Sequence, residues 1–500
     1  MTTAIDYANA APHLGTAYEK VGADVIARYH RLAGDDVFFL MGNDEHSQNV
    51  AKAAREKGLE PKAYCDELET HFLKAWGALD ITFDDFIRTT RESHKRTVRD
   101  LLDRMNEAGD LYQDKYEGWY CVGCEAFIPE KDLVDGECAN HQKKPDWISE
   151  ENWFFRLSKY AGALKAHYDA HPGFVQPEKY KNEMLALVDE GLTDVSASRQ
   201  GTDWGVSFPF DESVVTYVWF DALPNYLSGI GFGDDDEQFG RYWPADVHVI
   251  GKDITRFHCL LWPAMLMSAG IDLPKTISVH GFITVDGKKL SKSLGTIIDP
   301  IEEAADWGAD PIRYFLMREM SWGKDGDYSE KRLGERYQHD LGNDLGNLLN
   351  RVLNMTSKYV GGRVTAPAEL DLENPLLATT ERAREKYINA MEAIDPQGAI
   401  RAVWEIVTRA NGYVDETKPW AMAKEEGGEA RVADVLYYLV ESLRHIVVYL
   451  YPVMPGRMAA AYEQLGLGDL TQVTLGDLED FAFPEGVTLT KGQPLFPRRD

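Results

Sequence analysis

The sequence predicts an α/β fold: a doubly wound parallel sheet of Rossmann type, interrupted by an insertion and followed by an all-α helix bundle. Three observations carry this. Short apolar stretches alternate with helical-period stretches over roughly the first hundred residues, as in one half of a doubly wound sheet. From about residue 116 to 212 that alternation gives way to aromatic, loop-rich sequence holding Cys121, Cys124 and Cys138. From about residue 337 the apolar positions recur at helical spacing almost to the end.

Taken in order, residues 2–5 read as a short buried strand running into a polar turn that ends at Pro12. A helix over 16–32 follows, with Ala17, Val21, Val25, Ile26 and Tyr29 on one face and Gly34 as its stop. Residues 36–42 form a continuous apolar run, the pattern of a parallel strand covered on both faces. Helices over 47–57, 61–79 and 92–108 complete the first half. Strand signals return at 214–220 and 246–250, then a helix over 255–268 and a strand at 276–281. Amphipathic stretches at 337–359, 378–391, 396–417 and 430–451 define the bundle, and the acidic run beginning at Asp234 reads as a surface loop. The expected division is 1–115 and 214–284 for the two halves of the sheet domain and 116–213 for the insertion. Residues 285–336 form a loop region and 337–500 the bundle.

Five hundred residues imply two to four domains, and 44% hydrophobic with 11% aromatic residues is a globular composition. No apolar run reaches the ~18 residues a membrane-spanning helix needs, and no signal pattern opens the chain. The expectation is a cytoplasmic protein without membrane contact. Five cysteines, three of them clustered, fit a metal site in a reducing compartment better than a disulfide framework. A net charge of −29 argues against general nucleic-acid affinity, although a local basic surface can dominate a contact. Such an acidic exterior also suits a high-salt cytoplasm.

Two segments ask to be read together. Asp286-Gly287-Lys288-Lys289-Leu290-Ser291-Lys292-Ser293-Leu294-Gly295 packs lysines and serines between glycines, which fits either a solvated basic turn or a loop folding over an anion. Pro12-His13-Leu14-Gly15-Thr16 stands directly ahead of a helix, where backbone amides and the helix dipole favour a phosphate. His13 can donate to that phosphate, and Gly15 allows close approach. The third signature is Cys121-x2-Cys124-x13-Cys138-x2-His141, three thiolates and an imidazole in two turn-forming pairs, which suits a closed structural Zn²⁺.

The His13 segment followed by the Lys289 loop resembles the HIGH and KMSKS signatures of class I aminoacyl-tRNA synthetases. Within that class the chain resembles the methionyl-tRNA synthetase family across nearly its whole length. Ala4-Ile5-Asp6-Tyr7-Ala8-Asn9, Gly42-Asn43-Asp44-Glu45-His46-Ser47 and Tyr217-Val218-Trp219-Phe220-Asp221-Ala222 carry this, with the zinc spacing. The resemblance implies an enzyme that joins methionine to ATP with Mg²⁺ and then charges tRNA. It implies His13, Lys289 and Lys292 as catalytic candidates. For ATP it adds Gly15, Thr16, Gly251, Lys252, Asp253, His280, Ser291 and Ser293. Ile5, Tyr7, Asp44, Trp219, Ala222, Tyr226 and His258 would hold methionine, with Asp44 on its ammonium. Asn347, Arg351 and Trp420 would read the anticodon. Homocysteine editing and a monomeric state are expected on the same ground. Thr16 stands where the family has a second histidine, and Leu223 where many relatives have proline.

Overall fold

The structure is a computed structural model that describes residues 1–500 apart from 124, 125, 129, 140, 141, 201, 286, 291–296, 372 and 500. The side chains of 116, 126, 127, 131, 288 and 289 are likewise outside the description. The chain divides into two units. One comprises residues 1–19, 38–75 and 82–281, the other 20–37, 76–81 and 282–500.

The first unit is built on a parallel sheet. Its first strand is broken in two, β1 (Thr2–Thr3) and β2 (Asp6–Tyr7), after which helix α1 (Leu14–Ala33) begins. β3 (Leu40–Asp44) is fully buried, and it starts four residues later than the apolar run suggested. Residues 36–39 are not part of the strand; the Phe39 amide donates to the Asp84 carboxylate at 2.7 Å. Helices α2 (Gln48–Glu56), α3 (Pro61–Ala78) and α4 (Glu92–Glu107) follow as expected within a residue or two, and between the last two lies a strand the sequence reading lacked, β4 (Asp85–Arg88).

The insertion is more regular than its sequence suggested. Two long strands, β5 (Leu111–Cys121) and β9 (Asp146–Phe155), pair antiparallel along a ribbon. Between them lie β6 (Ala126–Ile128) and the small hairpin β7 (Leu133–Val134) with β8 (Glu137–Cys138). Two helices then appear, α5 (Ala161–Ala170) and α6 (Glu178–Glu190), separated by β10 (Val175–Gln176). Short strands β11 (Val195–Ser196), β12 (Ser198–Arg199) and β13 (Ser207–Phe208) lead into β14 (Asp211–Thr216).

The expected strand over 214–220 ends at Thr216. Val218–Ala222 is instead helix α7, and Asn225–Ser228 is helix α8. A fully buried apolar run suits either state, and here all of Val218–Ala222 is buried as a helical turn. After α9 (Asp236–Tyr242) come β15 (Val247–Gly251), a π-helical turn at Phe257–Leu261 running into α10 (Trp262–Ala269), and β16 (Thr276–His280). The strand order β10-β16-β15-β1-β3, with β2 and β4 also paired to β3, is parallel throughout. The first strand therefore lies between β3 and β15, so the strand order reverses there. In open α/β sheets ligands bind beside the strand C-termini at that reversal.

In the second unit β17 (Ile283–Val285) pairs with β18 (Lys288–Lys289) and β19 (Gly326–Tyr328). Helices α11 (Pro300–Trp307), α12 (Ala309–Glu319) and α13 (Glu330–Arg336) surround them in sequence. A π-helical stretch, Tyr337–Gly346, continues into α14 (Asn347–Val360). α15 (Pro375–Glu392), α16 (Pro396–Thr417), α17 (Pro419–Met422), α18 (Gly428–Leu450) and α19 (Pro455–Gln464) complete the bundle. α18 packs on α14, α15, α16 and α19. No helix among the described residues is long and apolar enough to cross a membrane.

Candidate active site

At the strand reversal the broken first strand sets the geometry. The Ala4 amide bonds Val249 O and the Ala8 amide bonds Asp44 O, so the chain passes from β15 to β3 within five residues. Tyr7 and Asp44 are register partners at the ends of β2 and β3. Asp44 is 2% exposed, whereas Ile5 and Tyr7 are partly exposed beside it.

The turn after β2 delivers His13 to the start of α1. Its Nδ1 accepts the Thr16 amide at 3.2 Å, capping the helix, and lies 3.3 Å from Thr16 Oγ1. An accepting Nδ1 assigns the ring proton to Nε2. Thr16 is thus turned back onto His13, and Gly15 occupies the first helical turn. Later in the same turns Glu19 Oε2 meets His280 Nε2 at 2.9 Å, while His280 Nδ1 faces Gly281 O at 2.8 Å and Tyr18 packs edge-on against the ring. The sequence reading singled out His280 but not Glu19, its partner 261 positions away.

Across the reversal β15 ends at Gly251, followed by Lys252 and exposed Asp253. A Cβ at Gly251 would lie 2.8 Å from Asp253 Oδ1, so a side chain there would displace the Asp253 carboxylate from its present position.

The aromatic residues converge behind these turns. Trp219 on α7 stacks on Phe257 with centroids 3.8 Å apart and planes 5° from parallel. His258 presents its edge to Trp219 and to Tyr226 at 6.1 and 5.8 Å. Tyr226 donates to His258 Nε2 at 2.7 Å, and His258 Nδ1 donates to Ile254 O at 3.1 Å. Tyr226 also stacks on His248, whose ring is held by Thr2 Oγ1 and the Trp262 indole. Burial lowers the His258 pKa to about 4 and pushes Tyr226 well above the usual phenol range. Ala222 is buried on the same helix as Trp219. The Trp219 indole N–H is buried with no acceptor among the described residues. Phe257, Ile254 and His248 were missed at sequence level; Phe257 adjoins His258, which was the available signal.

The stretch from Asp44 to Ser47 is fixed on several sides. Glu45 is buried against Arg88 (2.6 Å) and Thr90, and its carbonyl accepts the Trp204 indole at 2.6 Å. His46 Nδ1 meets Asp221 Oδ2 at 2.8 Å, and Ser47 Oγ caps α2 through the Val50 amide at 3.1 Å.

Lys289 lies in β18 opposite Thr284, and its side chain is outside the description, as are Ser291, Lys292 and Ser293. The stem of that loop is anchored by Asp327, which accepts from Thr284 Oγ1 at 2.6 Å and the Gly287 amide at 2.9 Å. Cys121 ends β5 and Cys138 ends β8, both buried, while Cys124 and His141 lie outside the described residues. Among the described residues no group of three or more metal-binding side chains occurs. In the second unit Asn347 opens α14, exposed, and Arg351 one turn on bonds Asp415 at 2.7 Å. Trp420 on α17 is 41% exposed.

The family profile described as tRNA synthetases class I (M) matches residues 1–146 and 130–353. The methionine--tRNA ligase of Caldanaerobacter subterraneus is 43% identical over 503 residues, covering 100% of this chain and 78% of that protein. That of Streptomyces coelicolor is 43% identical over 516 residues, covering 100% and 96%. The Mycobacterium tuberculosis methionyl-tRNA synthetase in complex with methionyl-adenylate superposes with a TM-score of 0.96 at 43% identity, covering 99% of both chains. The apo form of the Mycobacterium tuberculosis enzyme gives 0.89 at 40% identity over 100% of this chain and 97% of that one. With likeness running the whole length of both sequence and fold, the chain belongs to the methionine--tRNA ligases of class I.

Proposed function

We propose that this chain joins methionine to ATP, forming methionyl-adenylate and pyrophosphate, and then esterifies methionine onto the 3'-terminal ribose of methionine tRNA. The observation that carries the reading is the cluster of Trp219, Phe257, Tyr226 and His258, an aromatic wall built within the same unit as Asp44. An unbranched thioether suits aromatic edges, and Asp44 supplies the carboxylate for the ammonium, with Ile5, Tyr7 and Ala222 completing the lining. Holding the methionine carboxylate in line with the α-phosphate supplies much of the rate. His13, with its proton on Nε2, donates to that phosphate; Gly15, Thr16, Gly251, Lys252, Asp253 and His280 belong to the nucleotide side. Lys289 and Lys292, with Ser291 and Ser293, neutralise the departing pyrophosphate, charge placed where it grows in the transition state. ATP enters with Mg²⁺.

Zn²⁺ fits the insertion by donor chemistry. Cys121 and Cys138 are buried thiols at strand ends, and Cys138 O accepts the Gln142 amide at 2.8 Å. Cys121, Cys124, Cys138 and His141 would hold the ion, which would fix the fold of the insertion. The five-part division stated above, with 116–213 as insertion and 337–500 as anticodon-reading bundle, belongs to the same reading. Asn347, Arg351 and Trp420 offer hydrogen bonds and a stacking face to unpaired bases. The setting is the cytoplasm.

The test is methionine-dependent exchange of labelled pyrophosphate into ATP, beside Lys292→Ala and beside cysteine, valine and isoleucine. Exchange with methionine, lost in the variant, is expected. Exchange with another amino acid alone overturns the pocket assignment.

A further inference from the structure

We propose that Asp221 is a positioning residue that holds the ammonium side and the thioether side of the amino-acid site in fixed relation, an inference resting on the function proposed above. Asp221 is fully buried on α7, between Trp219 and Ala222. Each of its carboxylate oxygens accepts from a different histidine. Oδ2 takes His46 Nδ1 at 2.8 Å, and His46 lies two residues beyond Asp44. Oδ1 takes His94 Nε2 at 3.0 Å, and His94 Nδ1 is held in turn by Ser228 Oγ at 2.8 Å, two residues beyond Tyr226. One carboxylate thus ties together the three segments that carry Asp44, Trp219 with Ala222, and Tyr226.

Nothing in the assigned chemistry uses this node. Both histidines are buried, 7% and 0% exposed, so neither is placed at the surface. Burial alone would push the Asp221 carboxyl up, but the two imidazoles outweigh it and hold it below the usual carboxylate range. The arrangement keeps both oxygens as acceptors. An asparagine would present one oxygen and one NH₂ group, and the NH₂ would meet an imidazole N–H.

The experiment is pyrophosphate exchange with Asp221→Asn, His94→Leu and His94→Gln, each also followed by thermal denaturation. Wild-type exchange with methionine tests the proposed function separately from this inference. Asp221→Asn should raise KM for methionine about tenfold while KM for ATP stays within about twofold. His94→Leu should move in the same direction, and His94→Gln should recover, because the glutamine amide nitrogen can donate from near the position of Nε2. If Asp221→Asn is not recovered folded, the His94 pair decides the matter with Asp221 and His46 intact. Equal rises in both KM values, a lowered melting point with unchanged kinetics, or His94→Gln behaving like His94→Leu would each overturn the proposal.

Discussion

The hydroxyl of Tyr226 donates to Nε2 of His258 at 2.7 Å, and this bond fixes the imidazole as an acceptor at the centre of the aromatic cluster. With Nδ1 donating to Ile254 O, every polar position on the ring is used by the protein. In the function proposed above, the ring would serve the thioether slot as a neutral, rigid wall. Removing the donor by Tyr226→Phe leaves a buried nitrogen unmet, at about 1–3 kcal/mol of stability. Urea unfolding should show that loss; a change under a few tenths would sink the assignment.

The same ring makes stability depend on pH. Burial lowers His258 from 6.5 to about 4. The unfolded chain therefore binds the proton first as pH falls, so stability is full above about 6.5 and is lost towards 4. The lost amount is about 3 kcal/mol at the low end. His258→Gln should flatten this part of the profile in urea melts between pH 4 and 7. A residual slope of the same sign belongs to His248, which burial also holds well below its ordinary value. An unchanged slope in the variant would exclude His258 as its source.

Metal analysis by mass spectrometry should return about one zinc per chain, the stoichiometry of a closed four-ligand site. Cys138→Ala should abolish it. Because a structural ion touches no reacting atom, exchange of pyrophosphate should persist in the variant at a reduced level. Full retention of zinc in Cys138→Ala would refute the ligand set.

Activation and tRNA charging should separate at the bundle. Trp420→Ala removes an exposed stacking face worth about 1–3 kcal/mol per base, so tRNA charging should fall about tenfold or more while exchange is unchanged. Arg351→Ala should act likewise. Its ion pair with Asp415 has both side chains at least 37% exposed, so stability should move by less than about 1 kcal/mol. Loss of exchange in either variant would count against an anticodon role.

Much of the frame was legible because periodicity reports burial. The helix over 396–417 was read to its observed ends, since Pro396 starts it and the apolar positions recur without a break. The site motifs were legible as short ordered segments. The ribbon was not: β5 and β9 pair Asp114 with Asn152 and Lys115 with Glu151, polar on both faces, so no alternation marks them. α6 carried a readable signal in Tyr180, Met184 and Val188, four residues apart and buried, but the surrounding aromatic loops obscured it. The node at Asp221 was invisible because its partners His46 and His94 lie 175 and 127 positions away. Long-range hydrogen bonds between buried polar groups leave no local pattern.

The second unit depends on a buried charge of the same kind. The Arg313 guanidinium is wholly buried. Nη2 binds Asp24 at 2.6 Å and Pro452 O at 2.8 Å, Nε binds Val453 O at 2.9 Å, and Nη1 reaches Leu79 O and Asp80 O at 3.1 and 3.3 Å. Four carbonyls from two chain turns thus end on one side chain. Arg313→Met should destabilise by about 3–5 kcal/mol, because those carbonyls and the carboxylate stay buried. Arg313→Lys keeps the charge but offers a point donor where a planar fork is needed, so it should recover only part of the loss. Asp24 retains Arg28 at 2.8 Å, so Asp24→Asn combined with Arg313→Met should cost less than the sum of the two. Urea unfolding of these four variants beside wild type decides this. Additive losses, or Arg313→Lys within about 0.5 kcal/mol of wild type, would show that the fork geometry is not what the site requires.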